Sequence, residues 1–235
     1  MKKLLLSLVL LLFVASANAQ IMRAEELENY AANLYGKKWV DIAANLKSNA
    51  TLTLDKNNAL TFVQVVEAPG RSIAQLYTSL NYWFTATFND SKAAIKLNDK
   101  ETGCIIAQAS VEGVATHTGG SNSYNVTIRP IIRVDIKEGR CRVTYSLQAY
   151  NVIKTAGGGI LGIVADVLSN TPTVTTDYNE TWPLDQTYPF AEKDAFNAKK
   201  TSSKALIMSY AYSQVIMDKI EKAIKEGLVG EDDDW

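Results

Sequence analysis

The chain has 235 residues, of which 47% are hydrophobic and 21% are charged. This composition is that of an ordinary globular protein of one or two domains. The near balance of 24 Lys and Arg against 25 Asp and Glu lacks the basic excess that non-specific nucleic-acid binding requires, so we expect no nucleic-acid partner.

The first nineteen residues have the pattern of a secretory signal peptide. Lys2 and Lys3 form a basic start, residues 4–14 are almost entirely apolar, and Ala-Asn-Ala at 17–19 supplies the small residues that signal peptidase needs. The apolar run is shorter than the span of about 20 residues that crosses a membrane. We therefore expect cleavage after Ala19, no transmembrane segment in the mature chain, and a protein that works in the periplasm or outside the cell.

Residues 20–60 are expected to form an N-terminal helical extension followed by a first strand. Apolar residues at helical spacing predict one helix over 23–46, although Gly36 falls within it. Short strands are predicted over 51–54 and 61–66, with a turn at 55–58 between them.

A second helix is predicted after Pro69-Gly70. Residues 72–75 (Ser-Ile-Ala-Gln) have the form of a capping box. Apolar and aromatic residues then recur at helical spacing up to Phe88, and we interpret this stripe as core rather than as the lining of a pocket.

A run of strands follows from residue 95. We predict strands over 95–97 and 104–111, a polar loop over 116–123, and a long alternating segment over 124–136. Pro130 interrupts this alternation and predicts a bulge or an unpaired edge. Glu138-Gly139 predicts a two-residue hairpin turn, which sets Lys137 opposite Arg140, Ile136 opposite Cys141, and Asp135 opposite Arg142.

The strand phase places the two cysteines on opposite faces of the predicted sheet. Cys141 shares a face with Ile136, whereas Cys104 lies on the other face. If both strands flank the central one, the cysteines are also two strands, or roughly 10 Å, apart. A disulfide needs Cα atoms within about 7 Å, so we predict two free thiols.

The C-terminal part of the chain, residues 153–235, is expected to be mostly helical. A Gly-rich segment leads into a helix that begins at Ile160, and a strand is predicted over 173–178. Trp182-Pro183 and Tyr188-Pro189 indicate a loop. A long helix is predicted over 202–225, followed by a solvated acidic tail at 231–234.

The segment 62–151 resembles a known family, domain-of-unknown-function family 4468, which consists of exported bacterial proteins with a TBP-like fold. Six segments carry the resemblance: residues 76–84 (LYTSLNYWF), 88–92 (FNDSK), 95–97 (IKL), 99–103 (DKETG), 105–107 (IIA) and 134–142 (VDIKEGRCR). The resemblance implies an α+β fold in which a curved antiparallel sheet carries a helix on one face, here at residues 61–152, with helical N- and C-terminal extensions. It implies no activity and no catalytic residues, and a TBP-like fold does not by itself imply DNA binding.

Two sequence features suggest a cofactor site or a metal site, but each has a simpler structural explanation. Residues 157–162 fit the dinucleotide pattern G-x-G-x-x-G, but that motif needs a parallel βαβ unit and here follows an antiparallel strand. His117 is the only histidine, and we interpret it as a solvated loop residue. We therefore predict no cofactor and no metal site.

The polar face of the sheet is the candidate binding site. Arg129, Arg133 and Arg142 are predicted to lie on it, together with Gln148 near the end of the same polar row. Guanidinium groups on a rigid sheet suit the recognition of carboxylate, sulfate or phosphate groups. The alternative is a solvated face whose charges pair with one another.

Three hypotheses about function remain open at this point. The first is an exported, non-catalytic protein that binds a ligand or an envelope partner. The sequence leaves open whether the protein is an enzyme and favours one that is not. The second is a glycan- or peptide-directed hydrolase with an unrecognised site. The third is a structural component of an envelope assembly, docked through residues 157–168. An open polar sheet face would favour the first, a cleft with perturbed carboxylates the second, and an exposed apolar patch at 160–168 the third.

Overall fold

The computed structural model describes residues 21–88, 94–118, 121–157, 159–169 and 175–227. The predicted signal peptide and the acidic tail lie outside the described residues. The helices are α1 (Ala24–Tyr35), α2 (Trp39–Ser48), α3 (Ile73–Thr87), α4 (Ile160–Ser169) and α5 (Lys199–Glu226), with a short 3-10 helix at Leu184–Gln186. The strands are β1 (Leu60–Glu67), β2 (Ala94–Asp99), β3 (Cys104–Gln108), β4 (Val111–Thr118), β5 (Asn122–Ile128), β6 (Ile131–Lys137), β7 (Arg140–Leu147), β8 (Ala149–Ala156) and β9 (Thr176–Pro183).

The N-terminal helix is broken, and the prediction of one helix over 23–46 is wrong. Gly36 adopts φ +87°, a left-handed conformation that ends α1, and its N–H donates to the carbonyl of Ala32. α1 and α2 then pack separately against α5. The strand predicted over 51–54 reduces to a single bridge between Leu54 and Leu60.

The capped helix α3 confirms its prediction. The Ser72 hydroxyl accepts a hydrogen bond from the Gln75 N–H (3.3 Å), and the Gln75 side chain accepts one from the Ser72 N–H (2.9 Å). Leu76, Leu80 and Phe84 are buried in the core. The aromatic stripe is therefore part of the core, as expected.

The strands form two antiparallel sheets rather than one. The first has the order β1-β7-β6-β3-β2 and the second the order β4-β5-β8-β9. Three pairs of consecutive strands pass from one sheet into the other: β3 into β4 at 109–110, β5 into β6 at 129–130, and β7 into β8 at Gln148. Pro130 therefore marks a bend between sheets, not a bulge or an unpaired edge, and the strand predicted over 104–111 ends at Gln108. The predicted alternation survives the bend, because Val126, Ile128, Ile132, Val134 and Ile136 are all buried.

The hairpin between β6 and β7 has the predicted register. Lys137 pairs with Arg140, Ile136 with Cys141, and Asp135 with Arg142. β3 flanks β6 on the other side, where Cys104 pairs with Asp135. The cysteines thus lie on opposite faces and two strands apart, and both are free and buried.

Helix α5 joins the two sheets into one core. It packs against β1 and β7 of the first sheet and against β4 and β5 of the second, while α1, α2 and α3 cover it from outside. The predicted helix over 202–225 is confirmed and begins three residues earlier. Trp182 was expected in a loop but lies in β9, fully buried, with its ring stacked on Phe196 at 4.8 Å. Helix α4 begins at Ile160 as predicted. β9 covers the predicted strand from Thr176 onward, and residues 173 and 174 of that prediction lie outside the described residues.

Candidate functional site

One face of the five-stranded sheet is left open by the described residues. Because side chains alternate along a strand, Arg133, Asp135 and Arg142 share this face, while their neighbours in the strands point into the core. Val63 and Val65 of the edge strand β1 lie on the same face and are more than half exposed. The open face therefore mixes apolar side chains with charged ones.

A single carboxylate holds two arginines at the centre of this face. Arg133 donates to one oxygen of Asp135 through Nη2 (2.7 Å) and Nε (2.9 Å), and Arg142 donates to the other oxygen through Nη2 (2.8 Å) and Nε (3.2 Å). The arginine side chains are 49% and 57% exposed, whereas Asp135 is 20% exposed. Burial raises the pKa of Asp135, but hydrogen bonds from both arginines outweigh this effect and hold the pKa below its ordinary value. The three groups carry a net positive charge that faces solvent.

The structure separates the predicted site residues into two groups. Arg133 and Arg142 meet at Asp135, as described above. Arg129 and Gln148 lie instead at the bend between the sheets, where both are exposed. Arg129 is four residues from Arg133 along the chain, or about 13 Å in extended backbone. The expectation that it lies on the sheet beside the other two arginines is therefore wrong, because β5 ends at Ile128.

A depression on the open face lies beside Arg142. It has a volume of about 220 Å³ and is lined by Val65, Asp135, Lys137, Arg140, Cys141 and Arg142. Four of these six residues are charged, and three of those four are cationic. The depression therefore suits an acidic group.

A larger cleft lies on the other side of β1 and was not anticipated from the sequence. It has a volume of about 760 Å³ and is bounded by α1, β1 and α5. Tyr210 stacks on Tyr35 (5.7 Å) and on Phe62 (5.5 Å), and these half-buried rings form one wall. Val63 lines the cleft and also belongs to the open face, where Val65, two residues further along β1, lines the depression. The three rings come from segments far apart in the chain, and no local spacing in the sequence connects them.

Hydrogen bonds fix the polar side chains that border this cleft. The Tyr35 hydroxyl donates to Oε1 of Gln214 at 2.6 Å, and burial raises the pKa of Tyr35 to about 12. Gln64 donates to Glu221 in the same region. Tyr35 therefore stays neutral at physiological pH, and the cleft presents aromatic rings with amide and hydroxyl groups.

The two motifs considered from the sequence occupy other places. Residues 157–162 follow β8 and extend into the start of α4. Among the described strands, β8 pairs with antiparallel neighbours only, so the parallel unit that dinucleotide binding needs is not formed there. His117 lies within β4, half-buried and paired with Tyr124, so the expected loop position is wrong. Within the described ranges, no three His, Cys, Asp or Glu side chains are close enough to hold a metal ion.

Helix α4 presents an apolar surface to solvent. Its six large apolar residues are all exposed, up to 78% for Val167 and 81% for Leu168. They are Ile160, Leu161, Ile163, Val164, Val167 and Leu168. None of the helices in the described part of the chain is both long and apolar enough to cross a membrane.

Together these features define an α+β protein in which a bent antiparallel sheet carries helices on one face and leaves the other face open, the arrangement of a TBP-like fold. Residues 62–151 match the model of a family described as Domain of unknown function (DUF4468) with TBP-like fold. The match has the same bounds as the resemblance inferred from the sequence, which is therefore confirmed over these residues.

One solved structure agrees with this fold. The chain is similar to a TBP-like protein from Parabacteroides distasonis ATCC 8503, with a TM-score of 0.51 and 12% identity over 74% of this chain and 97% of that one. It is also similar to a DUF4468 family protein from Bacteroides ovatus ATCC 8483, with a TM-score of 0.44 and 13% identity over 72% of this chain and 89% of that one. No curated protein matches the sequence. At such identities the first likeness establishes the fold alone.

Proposed function

We propose that the protein is an exported, non-catalytic binding protein that recognises an envelope partner along strand β1. The observation that carries this proposal is the position of β1, an edge strand with the aromatic cleft on one side and the cationic depression on the other. An edge strand can accept a further strand from a partner, with side-chain pockets on either side giving specificity. The partner segment that fits is extended, with an aromatic or apolar side chain for the cleft and an acidic one for Arg142.

The carboxyl groups support a binding protein over a hydrolase. Among the described residues, every carboxyl group with a shifted pKa is shifted downward, namely Glu26, Asp55, Asp99, Asp135 and Glu221. A general acid needs a raised pKa. Asp55 and Asp99 accept hydrogen bonds from backbone N–H groups of their own turns, which is a structural role.

A panel of acidic peptides, peptidoglycan fragments and glycans tests this proposal by thermal shift and calorimetric titration. A ligand at 100 times its Kd adds about 2.7 kcal/mol to stability, which raises Tm by about 5–10 °C for a chain of this size. Arg142→Ala and Val63→Lys are expected to abolish the shift, because they change the depression and the cleft. Both positions are exposed, so both variants should fold.

The matched control is a double variant at the bend, Arg129→Ala with Gln148→Ala. It removes an exposed arginine and an exposed amide at the bend but leaves β1 untouched. Full binding by this control supports recognition along β1. Loss of binding in the control, or undiminished binding by Arg142→Ala and Val63→Lys, would move the site elsewhere and end this proposal.

The second part of the proposal is export, which rests on the signal-peptide pattern of residues 1–19. Mass spectrometry of the protein recovered from a bacterial host should give an N-terminus at Gln20, in the periplasmic or secreted fraction. Full-length protein retained in the cytoplasm would contradict it. A change of Ala17 and Ala19 to bulky residues should block cleavage.

Assembly through α4 is a second candidate function, favoured by its six exposed apolar side chains. The double variant Val167→Asp with Leu168→Asp places charge on this surface at the two most exposed positions. Cross-linked complexes recovered with envelope fractions should be lost in this variant. Asn179→Asp, which adds a charge on the adjacent strand β9, should retain them. Equal recovery from the α4 variant and from wild type would eliminate this candidate.

A further inference from the structure

A cavity lies where the N-terminus of α5 meets the hairpin formed by β4 and β5. It has a volume of about 370 Å³, within the range of small-molecule sites. Its lining includes Lys199, Lys200 and Thr201 from α5 and His117, Asn122 and Tyr124 from the two strands. It is separate from the open sheet face and from the cleft beside β1.

The start of α5 is a positive pole, and Asp194 is the carboxylate that contacts it among the described residues. The helix has 28 residues, and its N-cap residue, Ala198, provides no side-chain cap. The N–H groups of its first three residues have no acceptor within the helix, and the helix dipole adds partial positive charge there. The first turn contains Lys199 and Lys200 and no acidic residue. Two cations at this end of a helix are unfavourable unless an anion joins them.

A buried hydroxyl at the third helical position gives an independent indication of a ligand. Thr201 is 2% exposed, lines the cavity, and its Oγ1 has no hydrogen-bond partner among the described residues. The neighbouring hydroxyls of the helix are bonded: Ser202 donates to Asp194 (2.6 Å) and Ser203 to the carbonyl of Lys199 (2.7 Å). A buried polar group without a partner costs free energy, so an acceptor in the cavity would relieve this cost.

The nearest carboxylate does not fill this role. Asp194 is buried, and its oxygens accept hydrogen bonds from the N–H groups of Phe196 (2.9 Å), Tyr188 (3.2 Å) and Ala198 (3.4 Å) as well as from the Ser202 hydroxyl. It is not part of the cavity lining. Lys199 places its ammonium group 4.1 Å from the ring centre of Tyr188. Lys200 is exposed and forms no ion pair with any residue that the structure describes.

We propose that this cavity binds a tetrahedral oxyanion, the phosphate or sulfate group of a small molecule. The free N–H groups of α5 and the Thr201 hydroxyl donate to its oxygens, and Lys200 neutralises its charge. The cavity has room for more than a bare ion, so Asn122, His117 and Tyr124 are placed to contact the group that carries the oxyanion.

The first test measures binding of inorganic phosphate and inorganic sulfate to the purified protein by calorimetry and thermal shift. Chloride at the same ionic strength is the reference. Phosphate is expected to raise Tm beyond chloride, and Lys200→Gln to weaken its Kd by about 5-fold or more. Glucose 6-phosphate against glucose then distinguishes a carried phosphate from the free ion. If glucose 6-phosphate binds more tightly than inorganic phosphate, the cavity recognises a phosphate group attached to a small molecule. If the two bind equally, the cavity is a site for the free ion, and the part of the proposal that concerns an attached molecule is wrong.

The decisive variant is Thr201→Val, which removes the hydroxyl and keeps the shape. Because the hydroxyl has no partner in the free protein, this variant should keep or raise Tm without ligand while weakening phosphate binding several-fold. Lys193→Gln, at an exposed position outside the cavity, is the control that should bind phosphate as wild type does. No shift beyond chloride, wild-type affinity in both α5 variants, or an equal loss of binding in Lys193→Gln would each overturn the proposal.

Discussion

Asp135 is the residue on the open sheet face whose removal has the most informative consequences. Asp135→Asn keeps the size of the side chain and removes the charge that both arginines share. Each ion pair is half exposed on the arginine side, so each contributes about 0.5–1 kcal/mol, and the two together about 1–2 kcal/mol. For a chain of this length that loss lowers Tm by about 2–8 °C. Urea unfolding followed by circular dichroism measures it directly.

The stability difference between wild type and Asp135→Asn should also depend on pH. The pKa of Asp135 is lowered in the folded protein, so its contribution to stability is present above the unfolded pKa of about 3.9 and is lost as pH falls through the folded value. The difference in free energy of unfolding between wild type and Asp135→Asn should therefore be constant at neutral pH and shrink below about pH 4.

Asp135→Asn should also change binding in the opposite direction from stability. It frees Arg133 and Arg142 from their internal partner, so affinity for acidic ligands should rise while stability falls. Glu192→Gln is the matched control, because Glu192 is exposed and forms no ion pair with a described residue. Unchanged stability of Asp135→Asn, or a difference that persists undiminished to pH 2.5, would refute the assigned role of the two ion pairs.

Three further predictions concern the core and the turns. Gly103→Ala should destabilise the protein by about 2 kcal/mol or more in urea unfolding, since Gly103 has φ +64° and a Cβ would lie 2.8 Å from the carbonyl oxygen of Ile136. Phe84→Ala should cost about 3–5 kcal/mol in the same assay, because Phe84 is fully buried between α3 and the sheet. Burial raises the pKa of the Cys141 thiol to about 12 and also raises that of Cys104, so neither should react with a disulfide reagent at pH 8 until the chain unfolds.

Each of these three predictions has a control variant or a contrary result that tests its physical cause. Gly139→Ala also forces a residue into positive φ, but its Cβ would meet nothing closer than 3.7 Å, so it should cost only about 1 kcal/mol. If both glycine variants lose the same free energy of unfolding, a clash with the carbonyl of Ile136 does not explain the effect of Gly103→Ala. Tyr82→Ala, at an exposed position of α3, should change stability by less than about 0.5 kcal/mol. Stoichiometric labelling of either cysteine in native protein would contradict the burial of both.

The sequence by itself determined the features that depend on nearby residues. The cap of α3 needs only Ser72 and Gln75, three positions apart, and the hairpin register follows from a two-residue turn. The side-chain alternation of strands fixed which residues of β6 and β7 face the core, and so placed the cysteines on opposite faces. Arg133, Asp135 and Arg142 could be brought together from the sequence because one hairpin contains all three.

The tertiary structure decided whatever depends on contacts between distant segments. A period of two residues is the same on either side of Pro130, so it cannot reveal that β5 and β6 pair with different neighbours, and Arg129 was therefore placed on the wrong surface. Helix α5 has the pattern of an amphipathic helix, yet most of its first nineteen residues are buried, because two sheets and three helices enclose it. The hydroxyls of Ser203, Ser209 and Ser213 donate to carbonyls of the same helix, which allows these polar residues into the core. The aromatic cleft, and the cavity at Thr201, exist only where such separate segments meet.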